Sequence, residues 1–248
     1  MTRRSEAEHW NEVFADVNLG KPQVDFWLEK YEPMLELAQD GPVIDLGCGY
    51  GSDSLFLTER GYRVIACDFS SESLAIIRKY VPGVETNLFD MTGGLPFPDG
   101  SARAVVADLS LHYFHWDDTV SIVSEIARVI GTGGLLLARL NSTRDVHYGA
   151  GQGIELEPRY YEHEGRRKRT CTATGSRKFA GRWQLASADG SLGRGAVCAD
   201  ELADVNPTVG TAGRKQPDKE TQTFFVPLTG IDNAINQKLV NNTLFSCY

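Results

Sequence analysis

The chain has no long apolar run, no paired cysteines and no surplus of positive charge, and each absence excludes a class of function. No window of its 248 residues is uniformly apolar over the roughly 18 positions a membrane helix needs, so no membrane span is expected. Met1-Thr2-Arg3-Arg4-Ser5-Glu6 leads into charged amphipathic sequence and lacks the apolar stretch and small-residue cleavage site of a secretory leader. Cys48, Cys67, Cys171, Cys198 and Cys247 are an odd, scattered set without a C-x-x-C pair. That predicts free thiols in a reducing, cytoplasmic setting and neither a disulfide framework nor a metal site. With 25 basic against 33 acidic side chains the net charge is -8. Such a field repels nucleic acid and anionic membrane, so a small-molecule substrate is expected.

What the chain does have is alternation. Residues 6–38 are predicted helical, with Trp10, Val13 and Phe14 on one face and Trp27, Tyr31 and Met34 on another. Gly20-Lys21-Pro22 separates two short helices, and Pro33 is expected to kink the second. Runs at 42–46, 63–68, 84–89, 102–109 and 134–140 then read as strands, and 52–60, 71–80 and 117–130 as helices. Strands that are apolar along their length and alternate with helices predict an α/β, Rossmann-like, doubly wound, mostly parallel sheet. Residues 142–169 are polar, with a Gly149-Ala150-Gly151-Gln152-Gly153 turn and a charged run from Glu162 to Arg169. The basic part of that run, 166–169, reads first as a solvated face and second as an anion-binding patch.

The chemistry is concentrated in V-I-D-L-G-C-G-Y-G-S-D-S, residues 43–54. A strand that enters a glycine turn and then a helix presents N–H groups, and glycines let a ligand approach the backbone. A dinucleotide turn wants G-x-G-x-x-G/A. Here Gly47 and Gly49 fit, Ser52 stands at the last position, and an additional glycine, Gly51, precedes it. Asp45, two residues before the first glycine, would sit poorly beside a pyrophosphate and suits a ligand with a positive centre. Asp68 ends the second strand, where a carboxylate can accept both ribose hydroxyls. Asp90 ends the third, next to Met91, placed to meet an adenine. Singly, each acid is explicable as a helix cap or a solvated turn. Three at successive strand ends point to a nucleoside that carries a sulfonium, S-adenosylmethionine.

The same residues carry a family resemblance. V-I-D-L-G-C-G-Y-G at 43–51, C-D-F-S at 67–70, F-D-M at 89–91, L-P-F-P-D-G-S-A at 95–102 and L-S-L-H-Y-F at 109–114 resemble the class I S-adenosylmethionine-dependent methyltransferases. R-L-N-S-T-R-D-V-H-Y-G-A-G-Q-G at 139–153 is similar to the small-molecule branch of methyltransferase types 11 and 25, which includes tellurite-resistance-like enzymes. The resemblance implies a seven-stranded sheet with its last strand antiparallel. It also implies a cofactor over the carboxyl ends of the first strands.

Carried over position by position, Asp45, Gly47, Cys48 and Gly49 would surround the methionine end of the cofactor. Asp68 would hold the ribose, Phe69 would lie on the adenine, and Asp90 and Met91 would touch its edge. Asp108 and Ser110 would face the methionine moiety or the acceptor. The first helix, with His9, Trp10 and Phe14, resembles a lid, and is otherwise an aromatic packing stripe. His112 is the expected base or acceptor contact, with a hydrogen-bonded loop histidine as the alternative. Trp10, Tyr113, His115 and Tyr148 are the other expected acceptor contacts; His147 reads as plain loop.

The function implied is in-line methyl transfer to a small molecule by a monomer or homodimer, with positioning as the main source of rate. Two other readings stay open: an S-adenosylmethionine-binding protein without catalysis, and a nicotinamide-dependent oxidoreductase, which Asp45 and the missing third glycine oppose. Beyond Arg169 the periodicity is lost and the family pattern ends. Residues 1–169 are therefore expected to form the cofactor-binding domain with its helical lid. Residues 170–248 are expected to form a divergent segment that supplies the last strands or stays poorly ordered, leaving the far edge of the sheet incomplete. Within it, 183–188 and 221–228 read as strands and 231–244 as a weak helix.

Overall fold

A computed structural model describes residues 3–16, 20–130, 133–171, 184–186, 192–194 and 221–228. Helix α1 (Arg3–Asp16) opens the chain, and α2 (Glu32–Leu35) lies between two 3-10 turns. Pro33 therefore sits in the first turn of a helix, where its missing N–H is no loss, and it does not kink one. The alternation follows as β1 (Val43–Leu46), α3 (Ser52–Glu59), β2 (Val64–Asp68), α4 (Ser71–Tyr80), β3 (Glu85–Leu88), β4 (Ala104–Asp108), α5 (Trp116–Ile130) and β5 (Gly134–Asn141).

These strands form one parallel sheet in the spatial order β3-β2-β1-β4-β5. The sheet is extended by β11 (Thr221–Leu228), which runs antiparallel to β5 along its whole length. Among the described residues the sheet has six strands against the expected seven. The chain order reverses at β1, and that reversal opens a crevice at the carboxyl ends of β1 and β4. The strand expected at 183–188 is β9 (Gln184–Ala186), which pairs with β10 (Leu192–Arg194) in a separate ribbon. The helix expected at 231–244 lies outside the described residues.

The period of two along each strand divides the core. Ile44, Leu46, Val105, Ala107, Leu136 and Ala138 face one layer, where they meet Ile122, Ile126 and Val129 of α5. Val43, Val64, Ala104, Val106, Leu135 and Leu137 face the other, against Trp27, Leu28, Leu35, Phe56 and Leu57. Asp45 shares the parity of Val43, so its side chain is directed to the α3 layer. Among the described residues no helix is long and apolar enough to cross a membrane.

Residues 142–169 are more ordered than their polarity suggests. They contain a three-stranded antiparallel sheet, β6 (Ile154–Glu157), β7 (Tyr160–His163) and β8 (Arg166–Arg169). Tyr160 and Arg169 pair across it and are both buried. The Tyr160 hydroxyl donates to the Tyr113 carbonyl at 2.9 Å. Glu157 accepts from His115 Nδ1 at 2.7 Å, from the Trp116 amide at 3.1 Å and from the Arg169 guanidinium. These bonds fasten the small sheet to the turn that follows β4.

Ile126 is fully buried between α5 and the sheet. Ile126→Ala is expected to lower unfolding free energy by about 2–5 kcal/mol through lost burial and a residual cavity. Urea denaturation monitored by circular dichroism measures it.

Candidate active site

The glycine turn after β1 is shaped by contact. Gly47 has φ +73°, and a Cβ there would lie 2.5 Å from the Ser110 Cβ. Gly51 has φ +90°, and a Cβ there would lie 2.8 Å from Ile77 of α4. Both positions combine a left-handed backbone with a neighbour too close for a side chain. The amides of the turn are already engaged. Gly47 and Cys48 donate to the Cys67 carbonyl, Gly51 donates to Cys48, and Gly49 donates to Asp68 Oδ2 at 2.9 Å. A nest of free N–H groups, which a pyrophosphate requires, is therefore missing at these four positions. In its place the turn presents a carboxylate. Asp68 Oδ1 also accepts from the Ser70 amide at 2.9 Å.

Beside this turn lies a cavity of about 220 Å³. Of the cofactor residues expected from sequence, Gly47, Gly49, Asp68, Phe69, Asp90, Met91, Asp108 and Ser110 line it. Trp10, Tyr113, His9 and Phe14 line it as well. The α1 helix is held over the cavity by Asn11, whose carbonyl oxygen accepts from the Ser70 hydroxyl at 2.7 Å. Trp10 stacks on Phe14 and meets Tyr113 edge-on, so the aromatic residues of α1 form cavity wall as well as packing. Asp90 accepts from the amide and hydroxyl of Thr92, which fixes the turn after β3.

The structure sets four expected residues back from the lining. Asp45 is buried under α3, where its Oδ2 accepts from the Ser54 hydroxyl at 2.6 Å. Cys48 is buried beside Ser73. His112 is buried in the turn after β4, with its ring 4.2 Å from that of Tyr113. His115 is committed to Glu157. Tyr148 ends the 3-10 turn Val146–Tyr148, and its side chain lies outside the described set.

Several lining residues were not singled out from sequence. Glu6 belongs to a helix face chosen for its aromatics, and Leu109 adopts φ +48°, which no leucine advertises. Gly165 arrives from the β7–β8 turn, together with Arg166 and Arg167, which the sequence offered only as the second reading of a basic run. The Glu164-Gly165 turn was the available signal, but the charge of the flanking residues concealed the strands.

Behind the cavity the electrostatics are dominated by carboxylates. Burial, then the charges of Asp108 and Asp68, push the Asp45 carboxyl up to about 7 against the pull of Ser54. Burial and the charges of Asp108 and Asp45 also raise Asp53, although the Trp27 indole N–H donates to it at 2.8 Å. Burial raises Asp68 as well, opposed by its backbone amide donors. Arg139, which faces Asp108 in the β4–β5 register, offsets this charge. It donates to both oxygens of Asp108, at 2.5 and 2.7 Å, and to Asp25 at 2.6 Å. Burial pulls its own pKa down, and these two carboxylates more than reverse that.

A carboxyl whose folded pKa exceeds its unfolded one adds stability at low pH that is lost as pH rises through the folded value. For Asp45 the window runs from its unfolded value, near 4, to about 7 and above. Between pH 5.5 and 8.5 the chain is expected to lose roughly 2 kcal/mol of stability through this group. Asp45→Asn is expected to remove that part of the slope, read from urea midpoints at the two pH values. Gly47→Ala is expected to fold less stably and to weaken ligand binding at the cavity by more than about tenfold, because Ser110 and the turn must shift.

Comparison with known proteins agrees with this geometry. Residues 43–134 match the model of a methyltransferase domain family. An uncharacterized methyltransferase of Mycobacterium tuberculosis is 36% identical over 107 residues, covering 43% of this chain and 42% of the relative. A demethylmenaquinone methyltransferase of Thermobifida fusca is 29% identical over 137 residues, covering 54% and 56%. The chain thus spans about half the length of the curated relatives it matches. Among solved structures, a chain of the Haloferax volcanii complex between the Trm112 methyltransferase activator and a methyltransferase superposes with TM-score 0.55 at 18% identity. That match covers 94% of this chain and 100% of the other, and it bears on the fold alone. Residues 43–134 thus carry a methyltransferase domain, set in a sheet whose strand order is that of the class I methyltransferase α/β fold.

Proposed function

We propose that the chain binds S-adenosylmethionine in the cavity at the carboxyl ends of β1, β2 and β4 and transfers its methyl group to a small-molecule acceptor. The observation that carries this reading is the exchange of donors for an acceptor at the glycine turn. The amides of Gly47, Cys48, Gly49 and Gly51 are satisfied within the protein, and Asp68 faces the cavity in their place. A carboxylate there suits ribose hydroxyls, and the surrounding acids favour a cationic ligand over a diphosphate. Phe69, Met91 and Phe89 supply apolar surface for a base.

When bound, the cofactor supplies an electrophilic methyl group; the acceptor's electron pair forms the new bond and the carbon–sulfur pair stays with sulfur. The chain's own work is to orient and to exclude water. Trp10, Phe14, Tyr113 and Phe114 wall the acceptor side. Tyr113 is held neutral, since burial raises its phenol to about 12 although the Arg166 charge works the other way. His112 and His115 are set back from the cavity, and His9 is the histidine that lines it. The relatives named demethylmenaquinone methyltransferases support a small organic acceptor.

Calorimetric titration with S-adenosylmethionine, S-adenosylhomocysteine and NAD tests the reading. The two adenosyl compounds are expected to bind and NAD to fail; NAD binding without adenosyl binding would overturn it. Asp68→Ala is expected to weaken adenosyl binding by roughly tenfold or more, from lost hydrogen bonds to the charged group.

A further inference from the structure

We propose that the acceptor carries an anionic group, a carboxylate or an equivalent oxyanion on a flat organic frame, and that Arg166 holds it at the mouth of the cavity. This inference rests on the methyl-transfer reading above.

The three arginines of 166–169 have separate fates in the structure. Arg169 is buried, held by Glu157 and the Pro158 carbonyl, and lies over the rings of Trp116 and Tyr160. Arg167 lines the cavity but is occupied by Glu162 at 2.8 Å, with Glu6 adding to its stabilisation. Arg166 lines the cavity, is exposed, and has no ion pair with any described side chain. It is close enough to Tyr113 for its charge to favour the phenolate. A guanidinium without a carboxylate partner presents two parallel donors in the geometry that a carboxylate accepts.

Its surroundings select the remainder of the ligand. Two elements of opposite charge meet at the cavity: strand ends that contribute Asp68, Asp90 and Asp108, and the hairpin that contributes Arg166 and Arg167. A cation and an anion bound together satisfy both, each in the field of the opposite sign. The aromatic wall of Trp10, Phe14 and Tyr113, its rings packed on one another with Trp10 and Tyr113 edge-to-face at 5.3 Å, favours a flat apolar body lying against it. The hairpin is anchored to carry Arg166 to a fixed place, because Glu157 ties β6 and β8 to the turn that bears Tyr113.

The test uses the full chain saturated with S-adenosylhomocysteine and titrated with 2-naphthoate and 2-naphthamide, flat probes that differ in charge. The acid is expected to bind about tenfold or more tightly than the amide. Arg166→Gln is expected to abolish that preference while leaving S-adenosylhomocysteine affinity unchanged, and Arg166→Lys to keep part of it. Equal binding of acid and amide, binding of neither, or a preference that survives Arg166→Gln would overturn the inference and leave the cofactor reading standing. Failure of S-adenosylhomocysteine itself to bind would overturn the cofactor reading and this inference with it.

Discussion

Four carboxylates share a small buried volume at the carboxyl edge of the sheet, and the local architecture is arranged around keeping them there. Asp45, Asp53 and Asp68 are each at most 7% exposed, and Asp108 lies beside them on the neighbouring strand. In a low-dielectric interior their mutual repulsion must be met by protonation, by donors or by a cation. The structure uses all three: a raised pKa at Asp45, the Ser54 hydroxyl, the Trp27 indole and the Gly49 and Ser70 amides as donors, and Arg139 as the cation. Arg139 also reaches Asp25 and lies over the Trp27 ring, so one guanidinium joins the segment before α2 to the centre of the sheet. What remains is a net negative field at the crevice, into which a cationic ligand would bring further relief.

The hairpin sheet depends on a second, smaller arrangement of charge. Burial alone would raise the Glu157 carboxyl, but His115, the Trp116 amide and Arg169 hold it below its usual range. It therefore remains an acceptor for three donors from two separate parts of the chain. Truncating one partner of such a cluster leaves buried charge without compensation, which costs more than the pair contributes. Through this cluster the hairpin, the α5 N-terminus and the turn carrying Tyr113 behave as one unit.

The sheet was legible because its strands are apolar along their length and its helices keep period; α4 and α5 fall within a residue of where their patterns place them. The crevice edge was legible too, since acids at strand ends stand out against such runs, and Asp68 and Asp90 line the cavity. Asp45 was read from spacing alone, which ignores parity: it shares a face with Val43 and so turns under α3 to meet Ser54. His112 was read from its place after β4, but the 3-10 turn there presents Tyr113 to the cavity and buries the histidine. The β6–β8 strands escaped notice because their buried members include an arginine. Only a tertiary partner, Glu157, makes such a residue tolerable inside. Residues 221–228 were legible as a strand, and their antiparallel placement against β5 is set by a partner that local pattern does not identify.

Hydrogen-bond accounting at the glycine turn sharpens what a glycine motif means. Glycines after a strand invite a phosphate reading because they free amides to point at a ligand. Here β2 consumes two of those amides through the Cys67 carbonyl, and its last residue, Asp68, consumes a third. The glycines are required for other reasons: Gly47 by the approach of Ser110, and Gly51 by the approach of Ile77. The turn thus acts as a spacer that brings a strand end, a carboxylate and an aromatic side chain, Phe69, to one place. Once its donors are spent internally, the sign of the ligand it favours follows from the acids that remain. That is why a loop so similar in letters to a dinucleotide turn presents the opposite electrostatics.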